Sequence, residues 1–160
     1  MNFKNLPENW KVVRLGRVAD ITPAVYKEKK TKEVFFIPME LVPQDEKLYA
    51  DFEIRKHKEV KSGVPVYPND LLLAKITPCF ENGKIGFVPQ KFGIFIATTE
   101  IHPIRSKGTI DLMFLYYLLR HPEIKEYLKN QMTGTSGRKR IPKNALVSLS
   151  IPLPPHPEQK

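Results

Sequence analysis

Thr109-Ile110-Asp111-Leu112-Met113-Phe114-Leu115-Tyr116-Tyr117-Leu118-Leu119-Arg120-His121-Pro122-Glu123-Ile124-Lys125-Glu126-Tyr127-Leu128 decides whether this chain is all-β or mixed. Leu112, Leu115, Tyr116 and Leu119 fall at i, i+3, i+4 and i+7, the spacing of one helical face. Thr109 or Asp111 can cap the start, because a short side-chain oxygen accepts from the free N–H groups of a first turn. Pro122 suits the first position of a second helix, where its missing N–H costs nothing, with Ile124, Tyr127 and Leu128 on the inner face. Gly134 is expected to end that helix. A helical pair is therefore predicted from about Thr109 to Met132.

Outside the pair the chain reads as short strands and turns. Proline accounts for 15 of 160 residues, about 9 % against a usual ~5 %, and it breaks up long helices. Leu6-Pro7-Glu8-Asn9-Trp10 reads as a turn, with Trp10 expected as a core anchor. Lys11 to Leu15 alternates as a short strand and runs into one helical turn at Leu15–Ala19. Lys27 to Glu33 is polar and mixed in charge and is expected to form a mobile loop. Val34-Phe35-Phe36-Ile37, closed by Pro38, is a buried strand, whereas the charged run Ile54 to Val60 suits an exposed or edge strand. Val64–Tyr67 and Leu71–Ile76 flank a turn at Pro68-Asn69-Asp70. Glu81-Asn82-Gly83-Lys84 carries the Asn-Gly pair of a tight hairpin leading into Ile85–Val88. Phe92–Thr98, Glu100–Ile104 and Val147–Leu153 complete the strands. The fold class is α+β: one domain with a twisted mixed or largely antiparallel sheet and a helical pair in the C-terminal half.

Composition removes several function classes. Apolar residues make up 41 %, enough for a real core, and no apolar run reaches about 18 residues, so no membrane span is expected. The N-terminus lacks the apolar centre of a signal peptide, and a cytoplasmic protein is expected. Cys79 is alone, so no intrachain disulfide forms; it reads as a small, partly buried side chain. His57, His102, His121 and His156 are scattered without the spacing of a zinc cage, and no cofactor or metal is implied.

Charge points to the partner. The chain carries 26 basic and 17 acidic residues, a net +9, which favours a polyanion, nucleic acid first and an acidic protein surface second. Tyr127 through Pro157 contains no acid but holds Lys129, Arg138, Lys139, Arg140 and Lys143. Within it, Gly134-Thr135-Ser136-Gly137-Arg138-Lys139-Arg140 is a glycine-flanked loop whose N–H groups and cations suit phosphates or base edges. The alternative is an ordinary solvated loop. Lys75-Ile76-Thr77-Pro78-Cys79-Phe80-Glu81-Asn82-Gly83-Lys84 offers a second set of donors in Lys75, Thr77, Asn82 and Lys84, weighed evenly against a plain hairpin tip. No phosphate loop, dinucleotide fingerprint, nucleophile elbow or adenine methyltransferase motif is present. Asp70, Glu81 and Lys84 faintly resemble a metal-dependent nuclease core. The Glu-x-x-Lys spacing, however, puts the lysine on the wrong face of a strand, so a stand-alone endonuclease is only the alternative reading.

These residues also carry a family resemblance. Leu6-Pro7-x-x-Trp10 with Leu15-x-x-Val18-Ala19-Asp20-Ile21, then Asn69 through Lys84, then Gly134 through Ile141, and finally Ile151-Pro152-Leu153-Pro154-Pro155-His156-Pro157-Glu158-Gln159 occur in order along the chain. Together they resemble the target recognition domain of the DNA specificity subunit of type I restriction–modification enzymes. The resemblance implies a non-catalytic reader of double-stranded DNA. In such systems two recognition domains each bind one half of a split target. Long helices separate them and dock the methyltransferase subunits, and a separate restriction subunit supplies translocation and cleavage. On their charge and donor groups, DNA contacts are expected from Lys75, Thr77, Asn82 and Lys84 on one loop and from Gly134, Thr135, Ser136, Gly137, Arg138, Lys139 and Arg140 on the other. In the family the Pro-Pro-x-x-Glu-Gln segment leads into the long helix, whereas here Lys160 follows directly. Residues 1–154 are therefore expected to form the recognition domain and 155–160 the start of a truncated spacer helix. As such a chain it is expected to be monomeric.

Overall fold

In the computed structural model, which describes residues 2–23 and 30–160, the chain begins with β1 (Lys11–Arg14), α1 (Leu15–Val18) and β2 (Ala19–Ile21). β3 (Glu33–Ile37), β4 (Glu53–Lys56), β5 (Val64–Val66) and β6 (Leu71–Ala74) follow. Next come β7 (Ile85–Phe87), β8 (Phe95–Ala97) and β9 (Ile101–Ser106). Two helices, α2 (Leu112–Arg120) and α3 (Pro122–Asn130), precede α4 (Lys143–Val147) and the closing strand β10 (Ser150–Leu153). The part of the expected loop over residues 27–29 lies outside the described residues.

β6 shows how the layers arise. All four residues of Leu71-Leu72-Leu73-Ala74 are buried, and successive side chains of a strand point to opposite faces. Leu71 and Leu73 join one apolar cluster with Leu115, Tyr116 and Leu119 of α2 and Ile124 and Leu128 of α3. Leu72 faces the other way, into a cluster with Ile37, Val66, Phe95 and Ala97. One continuous apolar run thus separates a helical layer from a second sheet. Among the described residues there are two four-stranded sheets, ordered β2-β9-β6-β7 and β4-β3-β8-β5, and a β1-β10 ribbon. The first sheet is antiparallel throughout; the second contains the parallel pair β3-β8. No helix among the described residues is long and apolar enough to cross a membrane.

The α+β class and the helical pair agree with expectation. Asp111 supplies the cap of α2, its Oδ1 accepting from the N–H groups of Met113 at 2.7 Å and Phe114 at 3.3 Å. Pro122 opens α3.

The single sheet does not hold. The turn expected at Pro68-Asn69-Asp70 is present, closed by Asp70 N to Tyr67 O at 3.0 Å, but its flanking strands do not pair with each other: Val66 pairs with Phe95 in one sheet and Leu71 with Phe87 and Ile104 in the other. Pro68-Asn69-Asp70 is a crossover between sheets, with Asn69 in the left-handed region at φ 68°. Asp70 pins it: buried at 2 % exposure, its Oδ2 accepts from the Tyr67 N–H, and both oxygens take the fork of Arg105 at 2.8 and 2.7 Å.

Other boundaries moved for identifiable reasons. α3 ends at Asn130, capped by Gln131, rather than at Gly134, because Thr133 already turns into a bridge with Arg140. Asn82-Gly83 is not a two-residue hairpin: residues 75–84 form one long connection between β6 and β7, wound by bonds from Asn82 N to Pro78 O and Lys84 N to Cys79 O. The edge strand expected over Ile54–Val60 stops at Lys56, and His57–Glu59 forms a 3-10 turn. Phe92 is fully exposed and precedes β8 instead of belonging to it.

The strand expected from Val147 begins only at Ser150, since Lys143–Val147 is a helical turn that packs on α1 and buries Leu146. That packing requires Gly16. A Cβ there would stand 2.7 Å from Val147 Cγ1 and 3.0 Å from Val147 O. Gly16→Ala is expected to destabilise the fold by about 1–3 kcal/mol, seen as an earlier urea midpoint at unchanged slope.

Trp10 is not a core anchor. It is half-buried and its indole N–H donates to Glu158 Oε2 at 2.9 Å, while Asn9 Nδ2 donates to Glu158 Oε1 at 2.6 Å. The adjacent Gln159 is buried, donating to Thr109 O and Pro154 O and accepting from the Asp111 N–H. The first and last motifs of the sequence therefore clasp each other beside the start of α2. His156–Gln159, expected to begin a spacer helix, forms a 3-10 turn held in this clasp.

Candidate nucleic-acid interface

Two loops far apart in sequence meet as one surface. Thr133 and Arg140 exchange both backbone hydrogen bonds at 2.9 Å, closing residues 133–140 into a small hairpin. Arg138 N donates to Thr135 O at 3.0 Å inside it, and Gly134 and Gly137 sit at φ 121° and 76°, a region that disfavours a side chain. A Cβ on Gly134 would come within 3.0 Å of Arg138 O. The hairpin is stitched to the β6–β7 connection by Thr77 N to Lys139 O at 2.9 Å, Ile141 N to Lys75 O at 2.8 Å, and a bridge between Ile76 and Arg140.

The predicted site residues fare differently on this surface. Gly134 through Arg140 are all exposed. Arg138 and Lys139 have no ion pair among the described residues. Arg140 is committed: its Nε and Nη2 grip both carboxylate oxygens of Glu100 at 2.8 Å each. Lys75 lies beside that carboxylate and Asn82 is exposed. Thr77 donates its hydroxyl to Glu81 Oε1 at 2.7 Å. Lys84 is not free either; its ammonium donates to the carbonyls of Met39 at 2.9 Å and Val42 at 3.2 Å.

The residues of the nuclease reading are each engaged elsewhere: Asp70 by Arg105 and the Tyr67 N–H, Glu81 by Thr77, Lys84 by two carbonyls. Among the described residues no group of three or more His, Cys, Asp or Glu is placed to hold a metal.

Two residues that sequence reasoning missed support the surface. Glu100, in the β8–β9 turn, accepts the Lys75 N–H through its backbone carbonyl at 3.0 Å, besides gripping Arg140. The Arg140 hydrogen bonds hold its carboxyl below the usual range against the opposing effect of partial burial, with the charges of Arg140 and Lys75 adding to them. Nothing in sequence marks an acid forty positions from its partner.

His102 lies beneath, 5 % exposed, its Nε2 donating to Ile141 O at 2.7 Å and its Nδ1 facing Thr22 Oγ1 at 3.3 Å. Burial lowers its pKa, as do the charges of Lys75 and Lys143, against the raising effect of the Ile141 bond. The unfolded chain thus binds this proton more readily than the folded one. Stability from this group is present above the ordinary histidine pKa of about 6.5 and is lost as pH falls below it. His102→Gln is expected to flatten the thermal midpoint between pH 7 and 5.5 relative to the parent, measured by circular dichroism.

Comparisons with known proteins agree with this architecture. Residues 7–160 match the family model described as the type I restriction modification DNA specificity domain. The chain is 39 % identical over 160 residues to the type I restriction enzyme EcoAI specificity subunit of Escherichia coli, covering 97 % of this chain and 27 % of that subunit. It is 36 % identical over 157 residues to the EcoEI specificity subunit of the same organism, covering 96 % of this chain and 26 % of that subunit. It spans about a quarter of the length of these curated relatives. The crystal structure of the HsdS subunit from Thermoanaerobacter tengcongensis shares the fold, with a TM-score of 0.67 at 21 % identity over 98 % of this chain and 36 % of that one. The order of motifs along the sequence, the mixed fold, and a family match running from Pro7 to the last residue coincide, and the chain belongs to the type I restriction modification DNA specificity domain family.

Proposed function

We propose that this chain reads one half of a bipartite double-stranded DNA target for a type I restriction–modification enzyme and performs no catalysis itself. The observation that carries the reading is the exposed hairpin 133–140, fastened edge-on to the β6–β7 connection, with Arg138 and Lys139 in no ion pair among the described residues. A hydrogen-bonded backbone carrying exposed cations suits groove reading, because phosphate contacts fix the register in which base contacts discriminate. Lys75 and Asn82 extend the surface. Methyltransferase and restriction subunits are the partners of the assembled system, which works in the cytoplasm. Residues 1–154 act as the reading unit, monomeric as this chain, and 155–160 lead toward the spacer.

Selection from a random duplex library at low and moderate salt tests this. Enrichment of one short motif, with affinity falling steeply as salt rises, is expected. Recovery of unenriched sequences at both salts would overturn it. Incubation with Mg²⁺ and plasmid is expected to leave supercoiled DNA intact; nicking that disappears in Glu81→Ala would revive the endonuclease.

A further inference from the structure

The geometry points to Glu100 as a positioning residue and to Arg140 as the strut through which it fastens the basic loop to the β6–β7 connection. This rests on the proposed DNA-reading role of the same surface. Glu100 touches both loops: its carbonyl holds Lys75, and its carboxylate holds Arg140 in a two-point fork at 2.8 and 2.8 Å. The carboxylate takes the Nε–Nη2 edge of the guanidinium, which holds the whole side chain in one direction and leaves only its Nη1–Nη2 end free to donate. Arg140 is also fixed through its backbone, by both bonds to Thr133 and by the bridge to Ile76. Its side chain is the third tie at a point already tied twice. Arg138, by contrast, stands at the close of the turn from Thr135 with its guanidinium unpaired among the described residues. The negative charge of Glu100 also lies close to Lys75, so the pair orders both cationic segments.

The test has one arm without DNA and one with it. In the first, amide hydrogen exchange is compared between the parent and Glu100→Gln. The amides of Thr77, Arg140 and Ile141 are expected to exchange roughly two- to fivefold faster, the scale of a partly exposed ion pair, while those of α2 stay unchanged. Unchanged exchange at all three amides overturns the positioning role, whatever the chain binds.

In the second arm, a labelled duplex carrying the selected motif and a scrambled duplex are titrated against Glu100→Gln, Arg140→Gln, the double variant and the swap Glu100→Arg/Arg140→Glu. The two single variants are expected to weaken binding alike, the double no more than either, and the swap to recover most of the loss. Base preference at each position stays as in the parent. Arg140→Gln losing far more affinity than Glu100→Gln, or relaxing preference at one base, overturns the strut and makes Arg140 a reader. Absence of duplex binding by the parent defeats the functional reading instead, and the exchange arm still decides the role of Glu100.

Discussion

Arg138→Ala together with Lys139→Ala is expected to remove measurable duplex binding while leaving the thermal midpoint nearly where it was. Both side chains stand on an exposed hairpin without ion pairs among the described residues, so folding loses little when they go. Binding loses much more. A base-reading arginine contributes about 1–3 kcal/mol of discrimination, and a lysine on a phosphate contributes by releasing counterions. Together the loss is about 2–4 kcal/mol, roughly 30- to 1,000-fold, enough to push the weak binding expected of the proposed half-reader out of range. Fluorescence anisotropy across a salt series checks both parts. The single Lys139→Ala change should lower the salt slope by about 1 without altering base preference, whereas Arg138→Ala should relax preference at one position. Arg140 is left in place because its removal also frees Glu100. If the double variant binds as the parent does, the hairpin is an ordinary solvated turn.

The largest stability loss is expected at Asp70. Its carboxylate is 2 % exposed, receives the Tyr67 N–H at 2.8 Å, and takes the Nε–Nη2 fork of Arg105 on both oxygens, the guanidinium also lying 4.2 Å from the Tyr67 ring. Asp70→Ala strands the Tyr67 N–H and leaves a cation facing a low-dielectric gap, a change of about 3–5 kcal/mol. Arg105 retains some access to water, which favours the lower end of that range. The variant should unfold at distinctly lower guanidinium concentration. Asp70→Asn should fall between, since an amide oxygen can still accept from Tyr67 but no longer balances the charge. A loss under about 1 kcal/mol for Asp70→Ala would mean that the crossover is held by packing alone.

What the sequence determined by itself is whatever physics acts over a few residues. Helical spacing at Leu112, Leu115, Tyr116 and Leu119, the Asp111 cap and Pro122 at a first position are local, and the helical pair stands where they put it. Apolar runs such as Val34–Ile37 and Leu71–Ala74 are local too, and both are strands. So is the surplus of cations at Arg138–Arg140. Tertiary structure alone decided which strands pair. β5 and β6 are neighbours in sequence yet lie in different sheets, because a strand's partner is chosen by the face it buries and by its hydrogen-bonding edge, and neither is written in its own residues. The same holds for Lys143–Val147, helical because it packs on Gly16, and for Trp10, drawn from the core by Glu158. It holds most at the site, where Arg140 and Lys84 read as free cations in the sequence. The fold brings Glu100 to one and two carbonyls to the other. Charge is a property of a residue; its availability depends on which groups the rest of the chain sets against it.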